Sequence, residues 1–403
     1  MEAQRGKPAF LTGLGGFRAL AALIVLTGHA LSWIAPLATF PAALCASLAR
    51  LTQLGLSAFF VLSGFVLFYS HAPGPGRPPF GPGRFALARL ARVYPVYGLL
   101  ALASLAVLLV REPAIVSAHP GSLAACLSLT QTWFFAPDVP ALFPIGWAVS
   151  TEVFFYLVFP LLRRPIGALP SRWAALWAGL AAVAVPLAAV AWIARSWPAL
   201  FAWVLGRHPG YAAATADLAG LFFQWLTYTN PYLRVFEFVC GMATARLFLT
   251  GARGPAWLGV AAVAGLAGLV AAPFPGAWFF LSVAANNALY APFLAAACLA
   301  LAARPPAFAN RRTCKAIAGA SLSIYLLQPF TLEPWTALAK AFPGLWPLAV
   351  AAGLAATTAA GLALSHLVEG PAARRILAWG RPGASGRTPG NAPAAWRGTR
   401  PKQ

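Results

Sequence analysis

The stretch 12–35, TGLGGFRALAALIVLTGHALSWIA, is apolar over the length that a helix needs to cross a lipid bilayer. Each helical residue adds about 1.5 Å, so about 20 apolar residues span a hydrocarbon core that is about 30 Å thick. No water reaches the backbone in that core, and a helix satisfies its own N–H and C=O groups. The stretch therefore predicts a membrane-spanning helix, which carries an arginine, Arg18, and a histidine, His29.

Similar apolar segments recur as far as residue 368, separated by glycine, proline and charged clusters. They predict an all-α polytopic membrane protein, a bundle of about ten transmembrane helices. We place these spans near 12–35, 51–71, 94–111, 146–162, 173–194, 232–250, 255–272, 283–303, 316–334 and 346–368. The segments 121–136 and 217–229 are ambiguous. We expect 121–136 to be interfacial or re-entrant, because a span there would place the later basic clusters outside.

The composition of the chain fits a lipid environment. Hydrophobic residues make up 60% of the 403 residues and charged residues 9%, whereas a soluble domain carries about 25% charged residues. We assign residues 1–369 to one membrane domain and residues 370–403 to a basic cytoplasmic tail, which we expect to be disordered because it is rich in Arg, Gly and Pro. The five cysteines lack paired spacing, so we expect neither a metal site nor a disulfide framework.

The net charge of +21 reflects membrane topology rather than nucleic-acid binding. Most of the 29 lysines and arginines lie between the apolar segments, and no aromatic-interleaved basic patch accompanies them. Cytoplasmic loops of membrane proteins carry an excess of Lys and Arg. Assigning the basic loops to that side places both termini in the cytoplasm and leaves no role for nucleic acid as a partner.

Arg18 and His29 project from one face of the first span. Eleven residues correspond to three helical turns, which separates the two side chains by roughly 16 Å along the axis. A charged group inside a span is costly and is therefore a candidate functional residue. The alternatives are that Arg18 reaches the inner membrane surface through its long side chain, and that His29 is a buried structural residue.

Glu152 is a third polar residue inside a predicted span, in the sequence GWAVSTEVFFYLVFP of residues 146–160. That span enters from the outer side, so we expect Glu152 at a depth similar to that of His29. Two facing titratable groups at one depth are the arrangement of a general base and its orienting partner. The alternative is a buried structural pair that holds two helices together.

Arg84, Arg89 and Arg92 form a basic cluster in the second predicted cytoplasmic stretch, before the span near 94–111. Arg89 and Arg92 lie about one turn apart and share a helical face. The guanidinium group presents a fork of donors that suits phosphate, so this face is a candidate site for the phosphates of coenzyme A. The alternative is ordinary anchoring of a cytoplasmic loop.

In this order, these segments resemble the acyltransferase-3 family of bacterial membrane O-acyltransferases, over most of residues 14–370. The resemblance rests on four motifs in order and three weaker matches. The motifs are Arg18 followed by His29, Gly55-x-x-x-Phe59-Phe60 with Leu62-Ser63-Gly64-Phe65, Arg89-x-x-Arg92-Val-Tyr-Pro95, and Trp147-x-x-x-x-Glu152 with Tyr156 and Pro160. The weaker matches are Arg234-x-x-Glu237-Phe238 with Gly241, Ser323-x-Tyr325-Leu326, and Ser365 through Glu369 to Pro371.

The resemblance implies an integral membrane enzyme of the bacterial inner membrane that moves an acyl group from acyl-CoA to a hydroxyl. We expect acetyl-CoA as the donor substrate, no permanently bound cofactor, and a carbohydrate, glycolipid or secondary metabolite as the acceptor. On the matching positions, it implies that His29 is the general base and that Glu152 orients or polarises the reacting groups. It also implies that Arg18 places the donor and that Arg89 and Arg92 contact the CoA phosphates.

The chain departs from the family pattern at two positions. Gly15 stands where an Asp often precedes the first-helix arginine, and Gln328 stands where a His commonly follows the Ser-x-x-Tyr-Leu pattern. Gln exchanges hydrogen bonds but carries no proton at neutral pH. No nucleophile for a covalent acyl-enzyme stands out, with Ser63 as the one exception, so we expect direct acyl transfer.

Two other function classes use buried charges. A transporter or flippase of a lipid-linked saccharide is the stronger rival, because buried Arg, His and Glu residues also suit proton relays. Such transporters often contain inverted repeats, and we find none in the sequence. A glycosyltransferase that uses a polyprenyl-linked sugar is the second rival. Such an enzyme is expected to carry acidic residues in a large outer loop, and the only aspartates in the predicted outer loops are Asp138 and Asp217.

Overall fold

The computed structural model describes residues 11–36, 39–74, 79–137, 143–207, 215–272 and 288–379. Within these residues the regular secondary structure is entirely helical, which confirms the all-α fold class. The predicted span near 283–303 falls partly outside the described residues, as do Asp138 and the tail from residue 380.

The α-helices are numbered here in chain order within the described residues. They are α1 (Thr12–Ile34), α2 (Ala42–His71), α3 (Pro82–Arg111), α4 (Pro113–Ala118), α5 (Pro120–Leu127), α6 (Trp147–Gly167), α7 (Arg172–Arg207), α8 (Thr215–Gln224), α9 (Pro231–Leu249), α10 (Ala256–Ala271), α11 (Ala291–Ala303), α12 (Arg312–Gly319), α13 (Ser321–Ala341), α14 (Trp346–Leu364) and α15 (Gly370–Trp379). Two π-helical turns interrupt the chain, Trp225–Thr229 after α8 and Ser365–Glu369 after α14.

Several helices have the length and composition of membrane spans. Among the described residues, 5 stretches qualify: α1, α2, α3, α7 and Pro343–Trp379, which contains α14. Helices α6, α9 and α13 are also long, but each carries charged residues. The structure thus fits a multi-pass membrane protein. The count of about ten spans and the cytoplasmic placement of both termini stay predictions.

The helices extend beyond the predicted spans at several ends. Helix α3 begins at Pro82, so Arg84, Arg89 and Arg92 lie in its first turns. Proline is favoured in the first helical turn, where its missing N–H costs nothing. The α-helical part of the ambiguous segment 121–136 belongs to the 8-residue α5, which begins at Pro120. At 1.5 Å per residue this helix is too short to cross a bilayer.

The expectation of a disordered tail is wrong for residues 370–379, which form α15. The sequence GPAARRILAW places Arg374 and Arg375 beside Ile376 and Leu377, and such an amphipathic segment is stabilised when its apolar side packs on a neighbour. That neighbour is α3. The rest of the predicted tail lies outside the described residues.

Helix α2 lies at the centre of the bundle and packs against α1 and α9. Small residues let the backbones approach closely, as is common between membrane helices. A Cβ atom added at Gly64 of α2 would lie 1.9 Å from the carbonyl oxygen of Phe238, and one added at Gly241 of α9 would lie 1.9 Å from that of Val61. Helix α1 packs on its other side against α13, so the helix with Arg18 and His29 is held between α2 and α13.

Candidate functional site

His29 is held by side chains of α1 and α13. Its Nδ1 is hydrogen-bonded to Oε1 of Gln328. Its ring stacks on Trp33, with ring centroids 5.1 Å apart, and lies 6.5 Å from the ring of Tyr325. Gln328 is fully buried, and its Nε2 has no hydrogen-bond partner among the described residues. With Gln328 Oε1 as the acceptor in this bond, the proton of His29 lies on Nδ1 and Nε2 keeps its lone pair.

Glu152 lies on α6, one turn before Tyr156. Its Oε1 accepts a hydrogen bond from the hydroxyl of Tyr156 at 2.6 Å and another from Ser63 of α2 at 3.2 Å. The carboxylate also interacts electrostatically with Arg18. These contacts tie α6 to α2 and to α1, and they keep a carboxylate oxygen supplied with donors inside an apolar bundle.

The matching depths of His29 and Glu152 suggested that the two side chains form a pair. In the structure each of them has other hydrogen-bond partners. Tyr325 explains the separation. Its ring lies beside His29, and its hydroxyl donates to the carbonyl of Ile145, two residues before α6 begins, at 2.8 Å. Tyr325 therefore lies between His29 and the start of α6. The hydrogen-bond partner of the His29 ring is Gln328.

Arg18 lies where two cavities meet. The first, which we call the Arg92 cavity, has a volume of about 390 Å³, and the cationic groups in its lining are Arg18, Arg92 and Lys315. No acidic side chain is among its described lining residues. The three positive charges therefore have no negative partner among these lining residues, which makes the cavity suited to anions such as phosphates. Lys315 was missed in the sequence, since it appears there as one of several loop cations.

The second cavity, which we call the Glu152 cavity, is narrow, at about 40 Å³. Its polar groups come from Arg18, Glu152, Ser321 and Tyr325, and its apolar walls include Phe59 and Phe60. Arg18 lines both cavities, and its Nε is buried without a hydrogen-bond partner in the described part of the chain. Beyond the wall formed by Tyr325 lies His29. Of the three predicted residues of the membrane interior, Arg18 and Glu152 thus line these cavities, whereas His29 lines neither of them.

Arg89 lines a third cavity and is separated from Arg92. This Arg84 cavity, of about 280 Å³, is lined by Arg84, Arg89 and the rings of His71, Phe80 and Phe85. The guanidinium of Arg89 lies 5.6 Å from the ring centre of Phe85 and 5.9 Å from that of Tyr156. The structure therefore divides the predicted arginine pair between two neighbouring cavities, which share Ser70 in their walls.

A buried ion pair lies outside these cavities. Arg234 and Glu237 of α9 are one turn apart, with a nitrogen–oxygen distance of 3.3 Å and side chains that are 0% and 2% exposed. Arg234 also donates to Ser57 of α2 and lies over the rings of Phe60 and Tyr228. These contacts hold α9 against α2. The Arg-x-x-Glu spacing was visible in the sequence, but its partners on other segments were not.

No group of three or more His, Cys, Asp or Glu side chains that could hold a metal ion occurs among the described residues. The five cysteines form no disulfide bond.

Comparison with known proteins adds a family assignment to this geometry. The model of a family described as an acyltransferase domain matches residues 11–366. The acyltransferase MdmB of Streptomyces mycarofaciens is 31% identical over 252 residues, which are 57% of this chain and 59% of that protein. The match thus covers less than two thirds of the relative. No solved structure matches the chain significantly.

Proposed function

Because the chain belongs to the acyltransferase-3 family, we propose that it is a membrane O-acyltransferase that uses acyl-CoA. The acyl group, acetyl in the simplest case, moves to a hydroxyl of a carbohydrate, glycolipid or secondary metabolite. We place the enzyme in the bacterial inner membrane, surrounded by bilayer lipid. The observation that supports this proposal most directly is that Arg18 joins a cavity with three cations to a cavity with Glu152.

The donor end of the proposed path is the Arg92 cavity. The phosphates of acyl-CoA carry several negative charges, and Arg18, Arg92 and Lys315 supply the matching cations. The unpartnered Nε of Arg18 is a hydrogen-bond donor that a donor substrate would satisfy. The Glu152 cavity is too narrow for a nucleotide, and its volume fits the acetyl thioester at the end of the pantetheine arm. Arg89 then contacts the phosphates from the neighbouring Arg84 cavity.

The proposed chemistry is direct transfer with His29 as the general base. Gln328 leaves Nε2 of His29 as the basic nitrogen. This nitrogen takes the proton of the acceptor hydroxyl while the hydroxyl oxygen bonds to the thioester carbonyl carbon. The carbon–sulfur bond then breaks, and the leaving CoA thiolate takes the proton from His29. Glu152 holds Arg18 and Tyr156 in place beside the path and needs no proton of its own.

The test is transfer of label from radiolabelled acetyl-CoA and longer acyl-CoAs in membranes, with cell glycans and lipids as acceptors. We expect wild type to release CoA and label an acceptor, and His29→Ala to lose the rate by at least about a hundredfold, as for other general bases. His366→Ala is the matched control, because His366 is exposed. Movement of a saccharide across vesicles without any turnover of acyl-CoA would refute the enzyme and favour the transporter.

A further inference from the structure

A fourth cavity lies at the N-terminal end of α6, away from the cationic end. It has a volume of about 120 Å³, and we call it the Gln131 cavity. Its lining includes the polar residues Gln131, Thr132 and Gln224 and the aromatic residues Phe135, Trp147 and Trp225. One water molecule needs roughly 10–15 Å³ of such space, so the cavity has room for on the order of ten non-hydrogen atoms. This is the size of a single sugar ring or of the end of a larger molecule.

One side chain in the lining of this cavity carries a buried polar atom without a partner. Gln131 is 2% exposed, and its Nε2 donates to the hydroxyl of Tyr97 at 3.0 Å. The Tyr97 hydroxyl in turn donates to the carbonyl of Cys126 at 2.7 Å. The Oε1 of Gln131 is buried without a hydrogen-bond partner among the described residues. A buried amide oxygen without a donor is destabilising, so this atom is expected to accept from a bound molecule.

The lining of the Gln131 cavity restricts the chemistry of that molecule. No charged side chain is among its described lining residues, so none of these side chains compensates the charge of an ionic ligand. The rings of Trp147, Trp225 and Phe135 offer flat apolar walls. A suitable ligand therefore has a hydroxyl that donates to Gln131, carries no charge, and has an apolar face that packs on the aromatic rings. A neutral sugar ring is such a ligand, because its C–H groups line its faces and its hydroxyls lie at its edges.

The Gln131 cavity adjoins the catalytic residues. Phe143, Pro144 and Trp147 form one of its walls. Ile145, inside that wall, accepts the hydrogen bond of Tyr325, whose ring lies beside His29. Trp147 is followed by Ala148, which lines the Glu152 cavity. Two consecutive residues of α6, Trp147 and Ala148, therefore line the two cavities.

The donor and the Gln131 cavity lie at opposite ends of α6. Trp147 is the first residue of this helix, and Arg163, sixteen residues later, donates to the carbonyl of His71 beside the Arg84 cavity. Sixteen residues correspond to roughly 24 Å along the axis. Glu152 lies between the two ends. A molecule in the Gln131 cavity would thus approach His29 from the side opposite to the CoA phosphates.

We propose that the Gln131 cavity binds the acyl acceptor, that the acceptor carries a neutral hydroxyl-bearing ring, and that Gln131 Oε1 accepts a hydrogen bond from one of its hydroxyls. This inference rests on the proposed acyl transfer. It narrows the acceptor to an uncharged sugar-like group and assigns it a site separate from the donor.

The test uses the full chain in membranes with acetyl-CoA and two panels of acceptors. The neutral panel contains the methyl glycosides of glucose, galactose, mannose and rhamnose, and the charged panel contains the matching uronates and aminosugars. We expect label transfer to at least one neutral glycoside and less to its charged counterparts. For Gln131→Leu we expect the KM of that glycoside to rise about tenfold, the value of one hydrogen bond, while the KM of acetyl-CoA stays unchanged.

Gln53→Leu is the matched control, because Gln53 also has a buried Oε1 without a partner in the described residues and does not line the Gln131 cavity. An unchanged KM of acetyl-CoA shows that the variants fold. The inference about the acceptor is overturned if label is transferred only to charged acceptors, or if no neutral glycoside is labelled while cell extract still accepts label. It is also overturned if the KM of the glycoside is unchanged in Gln131→Leu. In each of these cases the proposed acyl transfer itself still stands. Absence of acetyl-CoA turnover with any acceptor would overturn the proposed function, and this inference with it.

Discussion

Gln328 is the residue of α13 that forms a hydrogen bond with the His29 ring. Its Oε1 is bonded to Nδ1 of the imidazole, deep in the bundle where no water replaces a lost partner. We expect Gln328→Leu to lower kcat about tenfold, because the ring loses the bond that fixes its orientation and proton position. The KM of acetyl-CoA should not change. The measurement is steady-state CoA release over a range of acetyl-CoA concentrations.

Gln328→His separates orientation from packing. A histidine at this position again offers a nitrogen to His29, so we expect its kcat to lie closer to that of the wild type than to that of Gln328→Leu. Equal loss in both variants would mean that the volume of residue 328 matters and that its hydrogen bond does not.

Arg92 tests the donor site through the chemistry of the donor. Arg92→Ala should raise the KM of acetyl-CoA about tenfold or more, since a charge-assisted hydrogen bond to phosphate is lost. With S-acetylpantetheine, which has no phosphate, the same variant should behave like the wild type. Arg111→Ala is the control, because Arg111 forms an exposed ion pair with Glu333, and such pairs contribute little. A similar loss with both donors would exclude phosphate binding by Arg92.

The residues inside the membrane were predictable individually, and their partners were not. Arg18, His29 and Glu152 are conspicuous because a charged or titratable group is rare within an apolar span. Which group faces which depends on how the helices rotate and pack, and this is not encoded in the spacing along one helix. The pairing of His29 with Glu152 was therefore wrong, and Gln328, which the sequence offered only as a departure from a family pattern, is the partner.

At the level of helices, the contact between α2 and α9 depends on two glycines. A Cβ atom at Gly64 would overlap the backbone of Phe238, and backbone atoms move only if the whole helix moves. We expect Gly64→Ala to lower the apparent Tm by several degrees in detergent, in line with overpacking costs of about 1–3 kcal/mol. Thermal loss of the monodisperse peak in size-exclusion chromatography is the measurement.

Gly268→Ala is the control for this helix contact. Gly268 lies inside α10 with nothing within 4 Å of an added Cβ, so alanine should be neutral or slightly stabilising there. If Gly64→Ala and Gly268→Ala have the same apparent Tm, then Gly64 is not needed for the close approach of α2 and α9.

Helix positions followed from apolar runs, and helix ends did not. Amphipathic extensions such as α15 and the first turns of α3 carry charges, so hydropathy alone assigns them to loops or to a disordered tail. They become helices because one side packs on the bundle. The short α5 shows the converse, since an apolar run that reads as a possible span ends after 8 residues.

For the molecule as a whole, orientation in the membrane is the main untested prediction. The excess of basic residues assigns the start of α3 to the cytoplasm and α5 to the outer side. Gly83 and Gly121 lie at these places, and a side chain added at either meets nothing within 4 Å. In a cysteine-free background, Gly121→Cys should react with a membrane-impermeant maleimide in intact cells. Gly83→Cys should react only after the membrane is opened, and the reverse pattern would invert the topology.

The narrowness of the Glu152 cavity has a consequence for the energy balance of the cell. An enzyme that takes its donor from one side of the membrane and its acceptor from the other has an opening at each end. At about 40 Å³ the middle holds only roughly three water molecules, and the positive charge of Arg18 stands at its entrance. Protons and hydrated cations meet a barrier there. The proposed path can thus deliver an acyl group outward without discharging the electrochemical gradient across the same bilayer.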